Sequence, residues 1–363
     1  MTTPVTYLGA KSGRPYTLAT LIAGGGEGKV YTLTGLPNRC AKIYSSAIDA
    51  IRVEKLQTLI SLSGVTQLTS VSAWPEEILV DASKRPVGFI MPTVTGSNPL
   101  HIYLTPSDRQ RLVPDASYGL LVHIAANLCR ATGNFHQKGI VLADINSSNF
   151  LVLHDGTVRI IDCDSVQIGK SKKFRAMVAM EEYVPSELQG KRVADFSRTA
   201  DHDNFGLAVL VFQLLVVGRH PFSGNGATPL GKAIATRMHP FGRLHSKTCP
   251  FCVLGIDASD ILSQRVKGLF AKAFDGGAMI SRARPSAHEW MDALASFARE
   301  LITCPANRSH AYAASAKTCP WCRLEAKGLP PIFAPTPRQR PRPQPPNRTE
   351  SLCHRRRPPR ISD

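Results

Sequence analysis

The chain has 363 residues, 43% of them hydrophobic, enough for a sizeable core and suggestive of two domains or one with an appendage. A formal net charge of +17 points to an anionic partner, although much of that excess is local to the C-terminal end. Nine Cys and no apolar signal region in "MTTPVTYLGAKSG" argue against a disulfide framework, and the longest apolar run, Phe205 to Val217, is too short against the roughly 20 residues that span a bilayer. The expectation is a cytoplasmic protein without a membrane segment, its thiols reduced or bound to metal.

Residues 17–44 read as strands around turns, and a helical stretch follows at about 47–63. "EILVDASKRPVGFIMPTV" suggests a second hairpin turning near Ser83-Lys84-Arg85. From Ser117 apolar residues recur at three and four, so "YGLLVHIAANLCRATGNFHQKG" is helical. The helical pattern resumes through Phe205–Val217, read as a buried core helix, and again through Ile261–Leu301. Strands first and helices later predict an α+β protein with a small sheet lobe and a larger helical lobe.

The helical part is interrupted by "VLADINSSNFLVLHDGTVRIIDCDSVQI", residues 141–168. "NFLVL" and "TVRII" are short β-rich runs, and Asp155-Gly156 between them is read as a two-residue turn. Asp144 and Asn149 then lie on the loop before the first strand, and Asp162 where the second strand ends. Antiparallel pairing brings those ends together, placing a carboxylate, an amide and a second carboxylate in one small volume.

"AGGGEGKVY", Ala23 to Tyr31, fits three phosphate cradles unequally. A P-loop is excluded by Ala23 in place of the first Gly and Val30 in place of the hydroxyl residue. A Rossmann fingerprint needs a helix where "KVYTL" alternates like a strand. The third template, Gly-x-Gly-x-x-Gly-x-Val, places Gly25 and Gly28 correctly against Val30, with Ala23 at the first Gly. An ordinary β-turn is the competing reading.

Taken in order, these segments resemble a protein kinase of the eukaryotic Ser/Thr type, over about residues 17–300. "CAKIY" resembles the Val-Ala-Ile-Lys strand, "ADINSSN" the catalytic loop, and "DCD" stands where kinases have Asp-Phe-Gly. "VPSE", "DHDNFGLAVLVF", "GRHPF" and "RARPSAHEW" complete the series. The overall likeness is to divergent bacterial kinases with Asp-x-Asp-Ser after the hairpin and Cys-Pro-Trp-Cys near the C-terminal end.

The resemblance implies ATP and Mg²⁺ (or Mn²⁺) as cofactors, and Gly24, Gly25, Gly26, Gly28 and Val30 as nucleotide contacts. Lys42 would hold the α- and β-phosphates and would itself be held by a helix carboxylate, Glu54, with Asp49 the weaker alternative. Asp162 and Asn149 would bind the metal, and Asp144 would accept the proton of the attacking hydroxyl. Glu187 would pair with Arg284, and Asp201 would anchor the central helix. For Asp164 two readings stand, a contact near the metal or a cap on the following turn. Two departures follow. Leu142-Ala143 replaces the usual His-Arg, which argues against activation by loop phosphorylation and leaves Ser165 and Ser171 as weak phosphosites. Asn146 stands where Ser/Thr kinases usually have Lys, leaving room for slow turnover or another acceptor. The Asp-x4-Asn loop is shared with small-molecule phosphotransferases, while a pseudokinase would ordinarily have lost Lys42, Asp144 or Asp162.

Cys304-x5-His310-x8-Cys319-x2-Cys322 offers four soft ligands, two in a knuckle that suits tetrahedral structural Zn²⁺. The segment has few large apolar residues and would need metal to hold a fold. "HSKTCPFC" (Cys249, Cys252) echoes it and suggests a second site with His239 or His245, or a merged four-Cys site. Cys40, Cys129 and Cys163 read as buried thiols. The reading divides the chain into a kinase-like domain at 10–300 (lobes about 10–95 and 96–300), a zinc knuckle at 301–327 and a disordered Pro/Arg-rich tail at 328–363. From Arg338 to Arg360 the tail has eight Arg against one Glu, which would attract nucleic acid through phosphate contacts. The expected function is phosphorylation of Ser or Thr on a protein partner or on the chain itself. The resemblance adds a metal-dependent Ser/Thr phosphatase and a von Willebrand A-type protein as partners. Its rivals are a catalytically weak scaffold and, third, a small-molecule kinase.

Overall fold

The computed structural model describes residues 4–169, 172–223, 228–241, 258–276 and 284–335. Cys249, Cys252, His245, Ser171 and the Arg-rich segment from 338 lie outside the described residues.

β1 (Thr6–Gly9), β2 (Pro15–Gly24), β3 (Gly28–Leu33), β4 (Leu36–Tyr44), β5 (Glu77–Val80) and β6 (Pro86–Pro92) form a closed antiparallel barrel in the order β1-β2-β3-β4-β6-β5. Pairing of β1 with β5 closes it and removes the sheet edges. Leu33, Ala41, Leu79 and Ile90 fill the inside. α1 (Ala50–Ser61) lies outside the barrel and buries Leu56 with Cys40, Tyr44 and Phe89. Asp49 caps this helix, accepting from the Arg52 N–H at 2.7 Å, which accounts for its carboxylate without any role toward Lys42. β6 runs tight against β4, and a Cβ on Gly88 would come 2.0 Å from the Lys42 carbonyl oxygen. Only glycine permits that approach.

β7 (Ser97–Pro99), β9 (Phe150–Leu153) and β10 (Val158–Ile160) make a small antiparallel sheet. The turn between β9 and β10 differs from the two-residue expectation. Leu153 N–H donates to Thr157 O and Gly156 N–H to Leu153 O, so the loop is His154-Asp155-Gly156 with Gly156 left-handed at φ 79°. The extra residue lets the loop seat on α2 (Tyr118–Gln137), where buried Asn127 donates to the Gly156 carbonyl at 2.9 Å. A short pair, β8 (Ile140–Val141) with β11 (Gln167–Ile168), flanks the loop that carries Asp144.

α2, α3 (Ala200–Leu215), α4 (Gln264–Asp275) and α5 (Ala287–Glu300) surround the largest core, with Leu121, Leu128, Leu210, Phe212, Phe270 and Trp290 buried in it. α3 is apolar almost all round, as its sequence predicts for a helix enclosed by others. Ser286 and Glu289 form a reciprocal cap at the start of α5.

The chain ends its described course in β12 (Leu301–Thr303), β13 (Ala311–Ala313) and α6 (Pro320–Ala326). Trp321 packs on Tyr118 at 5.0 Å, and Phe333, fully buried, packs on both. Arg109 donates to the Ile332 carbonyl at 2.8 Å and stacks its guanidinium over Phe333. The tail expected from residue 328 is therefore corrected, since 328–335 is tied to the helical body by Phe333 and Arg109. Among the described residues no helix is long and apolar enough to cross a membrane.

Candidate active site and metal centre

The β2–β3 turn, β4, β6 and the β9–β10 hairpin enclose a cavity of about 590 Å³, within the range usual for small ligands. Gly24, Gly25, Gly26 and Gly28 line its roof, Lys42 and Val30 its wall, and Asn149 and Asp162 its floor. A Cβ on Gly25 or Gly26 would meet nothing within 4 Å, whereas one on Gly28 would strike the Ile43 carbonyl oxygen at 2.6 Å. Gly28 is thus required by the strand pairing, while the Gly25 N–H donates to the Gly28 carbonyl at 2.9 Å and closes the turn, so that Gly25 and Gly26 keep the roof clear of side chains.

Lys42 lies on β4 and is buried. Its ammonium donates to Asp164 Oδ1 at 2.7 Å and to Asp162 Oδ1. Burial alone would push the lysine down, but the two carboxylates overcome it and hold it above its ordinary value. Asp164 also accepts from the Tyr44 hydroxyl at 2.7 Å; burial would raise its carboxyl, yet Lys42 and Tyr44 hold it below the usual range. Asp162 is the odd charge out. Its side chain is 34% exposed, and burial together with the Asp164 charge holds its carboxyl above the usual range. Its backbone is left-handed at φ 60°, a conformation a non-glycine residue keeps only when its surroundings enforce it.

The sequence placed Glu54 as the partner of Lys42; the structure corrects this. Glu54 is 49% exposed and pairs with Lys173 at 2.6 Å. The next residue, Lys55, is the one α1 turns inward, pushed down to about 8 by burial.

Asp144 and Asn149 meet as the hairpin predicts, Asn149 Nδ2 donating to Asp144 O at 2.8 Å and to Asp144 Oδ2 at 3.1 Å. Asp144 Oδ1 is buried without a hydrogen-bond partner among the described residues, an acceptor left open beside the cavity floor. The loop is anchored by Asp203, which accepts from Leu142 N–H at 2.7 Å, Ala143 N–H at 2.8 Å and His136 Nε2 at 2.9 Å. These bonds hold Ala143 at φ 64°. Asp201, expected to anchor the central helix, does not touch this loop; it accepts from Arg284 Nη1 at 2.6 Å, beside Glu187, whose two oxygens take Arg284 at 2.8 and 2.9 Å. One helical turn carries two Asp residues, and their spacing alone does not say which faces the loop.

The sequence profile described as Protein kinase domain matches residues 82–291, more than half of the chain. The chain belongs to the protein kinase family. Protein kinase YegI of Escherichia coli (strain K12) is 32% identical over 337 residues, covering 88% of this chain and 50% of that protein. Protein kinase YegI of Escherichia coli O157:H7 is 32% identical over 324 residues, or 84% and 48%. The chain therefore spans about half the length of the curated relatives it matches. A putative ribosomal protein S6 kinase alpha-2 of Caenorhabditis elegans is 26% identical over 145 residues, covering 39% of this chain and 18% of that protein. Among solved structures, the ROP18 kinase domain in complex with AMP-PNP and sucrose superposes with a TM-score of 0.57 at 16% identity, covering 81% of this chain and 84% of that one, a likeness of fold.

Two departures from the usual kinase loop take physical form. Asn146 does not reach into the cavity; it is buried and accepts from Ser148 N–H at 2.9 Å, closing a tight turn. With Leu142-Ala143 in place of His-Arg, Asp203 holds the loop through backbone N–H groups alone. Ser165 donates to the Asp162 carbonyl at 2.8 Å, so its hydroxyl braces the strained residue.

At the other end, Cys304, His310, Cys319 and Cys322 bring their ligand atoms within 4.8 Å of one another. Cys304 and Cys322 sulfurs stand 3.6 Å apart, and His310 Nδ1 lies 3.5 Å from Cys322 and 3.7 Å from Cys319. A tetrahedral ion with bonds of about 2.3 Å has edges of about 3.7 Å, so the donor set and spacing fit Zn²⁺, whereas a disulfide at about 2 Å is excluded. His310 Nε2 faces Glu325 at 3.3 Å and Asn307 at 3.1 Å, which turns Nδ1 toward the thiols. His239, a candidate for the second site, is buried beside Phe222 and Phe274 and pairs with Asp275 at 2.9 Å. Cys40, Cys129 and Cys163 are buried thiols, as expected.

Proposed function

We propose that the chain is an ATP-dependent protein kinase that transfers the γ-phosphate to a Ser or Thr hydroxyl of a partner or of itself. The observation that carries this reading is the open valence at the cavity floor. Asp144 Oδ1 has no partner among the described residues, Asp162 lines the cavity, and Asn149, which also lines it, donates to the other Asp144 oxygen. Two carboxylates, Asp162 and Asp164, share one ammonium, so the cluster carries an excess negative charge that a divalent cation would neutralise.

Asp162 and Asn149 would hold Mg²⁺ (or Mn²⁺), which when bound supplies charge neutralisation at the phosphate oxygens. Lys42 would hold the α- and β-phosphates, and the glycine turn from Gly24 to Gly28 would cover them from above. Val30 and the apolar wall would take the base. Asp144 would orient the acceptor hydroxyl through Oδ1 and take its proton. With Asn146 bound into its own turn, no second cation reaches toward the γ-phosphate from this loop, which favours modest turnover.

In this reading residues 10–300 are the catalytic domain, with lobes at about 10–95 and 96–300 on either side of the cavity, and 301–327 is a structural zinc module. Cys304, His310, Cys319 and Cys322 would hold Zn²⁺ as thiolates and a neutral imidazole, all four positions being protein ligands. The same reading places the protein in the bacterial cytoplasm, with a metal-dependent Ser/Thr phosphatase and a von Willebrand A-type protein as partners and nucleic acid as a ligand of the Arg-rich tail.

Labelled ATP with Mg²⁺ or Mn²⁺ tests it, comparing the wild type with Asp144→Ala and Asp162→Ala. Label on the chain or on a generic protein, lost in both variants, is the expected result. Nucleotide binding without transfer would instead favour a scaffold, and no nucleotide binding would sink both. Mercurial release with a chromogenic chelator should give one Zn²⁺ per site, and none from Cys319→Ser.

A further inference from the structure

α1 offers no carboxylate to Lys42. Glu54 points to solvent and to Lys173, and the inward residue of the helix, Lys55, is itself a cation. The counter-charge comes instead from the segment after the hairpin. Asp164 has a side chain only 2% exposed, does not line the cavity, and commits both oxygens, Oδ1 to Lys42 and Oδ2 to Tyr44. Both donors stand on β4 at i and i+2, on one face of the strand.

We propose that Asp164 is the positioning residue for Lys42, with Tyr44 as its brace, doing what the sequence led us to expect of a helix carboxylate. Its consequence for catalysis rests on the phosphotransfer reading above. Neither of the two roles open to Asp164, a contact to the metal or a cap on the following turn, is what the geometry shows, since both oxygens go to Lys42 and Tyr44. A carboxylate with both oxygens taken by buried donors is not a free metal ligand, and that role stays with Asp162, which lines the cavity. Because β4 carries lysine and brace together, the clamp closes without a carboxylate from α1, which packs on Tyr44 through Leu56 and Arg52. Lys42 is then set in place as soon as the hairpin docks on the barrel.

The test compares Asp164→Asn, Asp164→Glu, Tyr44→Phe and Glu54→Gln in the full chain. Asp164→Asn should lower kcat roughly 100-fold, the scale of a misplaced catalytic group, with Asp164→Glu recovering part of it. Tyr44→Phe should cost several-fold and Glu54→Gln less than two-fold. A second readout does not depend on turnover. In competitive trace acylation with peptide mapping, Lys42 should react far more slowly than exposed Lys29 in the wild type. Asp164→Asn should raise the Lys42 rate and leave Lys29 unchanged. Loss of activity in Glu54→Gln with Asp164→Asn unaffected would overturn the inference, as would an unaltered Lys42 acylation rate in Asp164→Asn. A wild-type chain that transfers no phosphate would instead count against the proposed function, while the acylation rates would still decide whether Asp164 holds Lys42.

Discussion

Two cations in this chain are each gripped by a pair of carboxylates, and the grips differ in what they leave open. Arg284 has no exposed side-chain surface; its fork is taken by both oxygens of Glu187, by Asp201 Oδ2, and by the carbonyls of Ala273 and Gly276 at 3.1 and 3.0 Å. Lys42 is nearly as buried, but one of its two carboxylates, Asp162, is strained, a third exposed, and turned to a cavity. The same chemistry gives a closed joint in one place and a carboxylate left open to a cavity in the other. Saturation marks a structural ion pair, and residual valence beside a void marks a site.

That contrast is broken most directly at Asp162. Asp162→Ala should reduce phosphotransfer roughly 10³-fold, the several kcal/mol expected of a metal ligand. Lys42 keeps Asp164, so the melting temperature should move by less than about 3 °C, the scale of 1 kcal/mol or less. A large drop in thermal stability would class Asp162 with the saturated kind. Arg284→Ala should do the opposite. Removing the cation leaves two partly buried carboxylates without a partner, which costs about 3–5 kcal/mol and lowers the melting temperature by on the order of 10 °C. Arg284→Lys keeps the charge but not the planar fork and should recover part of that loss. Urea midpoints for the three proteins measure it, and an Arg284→Ala midpoint equal to the wild type would refute the structural role.

Much of this was legible before any coordinates. The hairpin at 150–160 follows from two β-rich runs about a glycine, and it dictates that Asp144, Asn149 and Asp162 converge. The Cys/His cluster was legible because its members are close in sequence and Cys-x2-Cys fixes local geometry. What escaped were choices between neighbours. Glu54 and Lys55 are adjacent on one helix, Asp201 and Asp203 a half-turn apart on another, and only packing decides which faces inward. Asp164 escaped for a related reason, because its partners Lys42 and Tyr44 lie about 120 residues away in sequence. The i, i+2 alternation of "KIY" was the signal available, since it puts Lys42 and Tyr44 on one face of β4. Phe333 was hidden by the proline-rich composition around it, which reads as tail although one aromatic ring suffices to dock the segment.

The smallest effect is also the one that separates the two grips by pH. Burial would raise the Glu187 carboxyl, but the hydrogen bonds and charge of Arg284 outweigh it and hold it below its ordinary 4.5. A carboxyl depressed in the folded state binds its proton less readily there than in the unfolded chain. Its contribution is therefore fully present above about 4.5 and is lost as pH falls through the lower, folded value. Glu187→Gln should cost about 1.5–3 kcal/mol at pH 7, the range for a hydrogen bond to a charged group. Below the folded value the wild-type glutamic acid is neutral as well, so the two stability curves should converge in acid. Urea midpoints between pH 7 and pH 3 would show that convergence. Curves that stay parallel would mean that Glu187 acts through its shape and packing, with its charge on Arg284 contributing nothing.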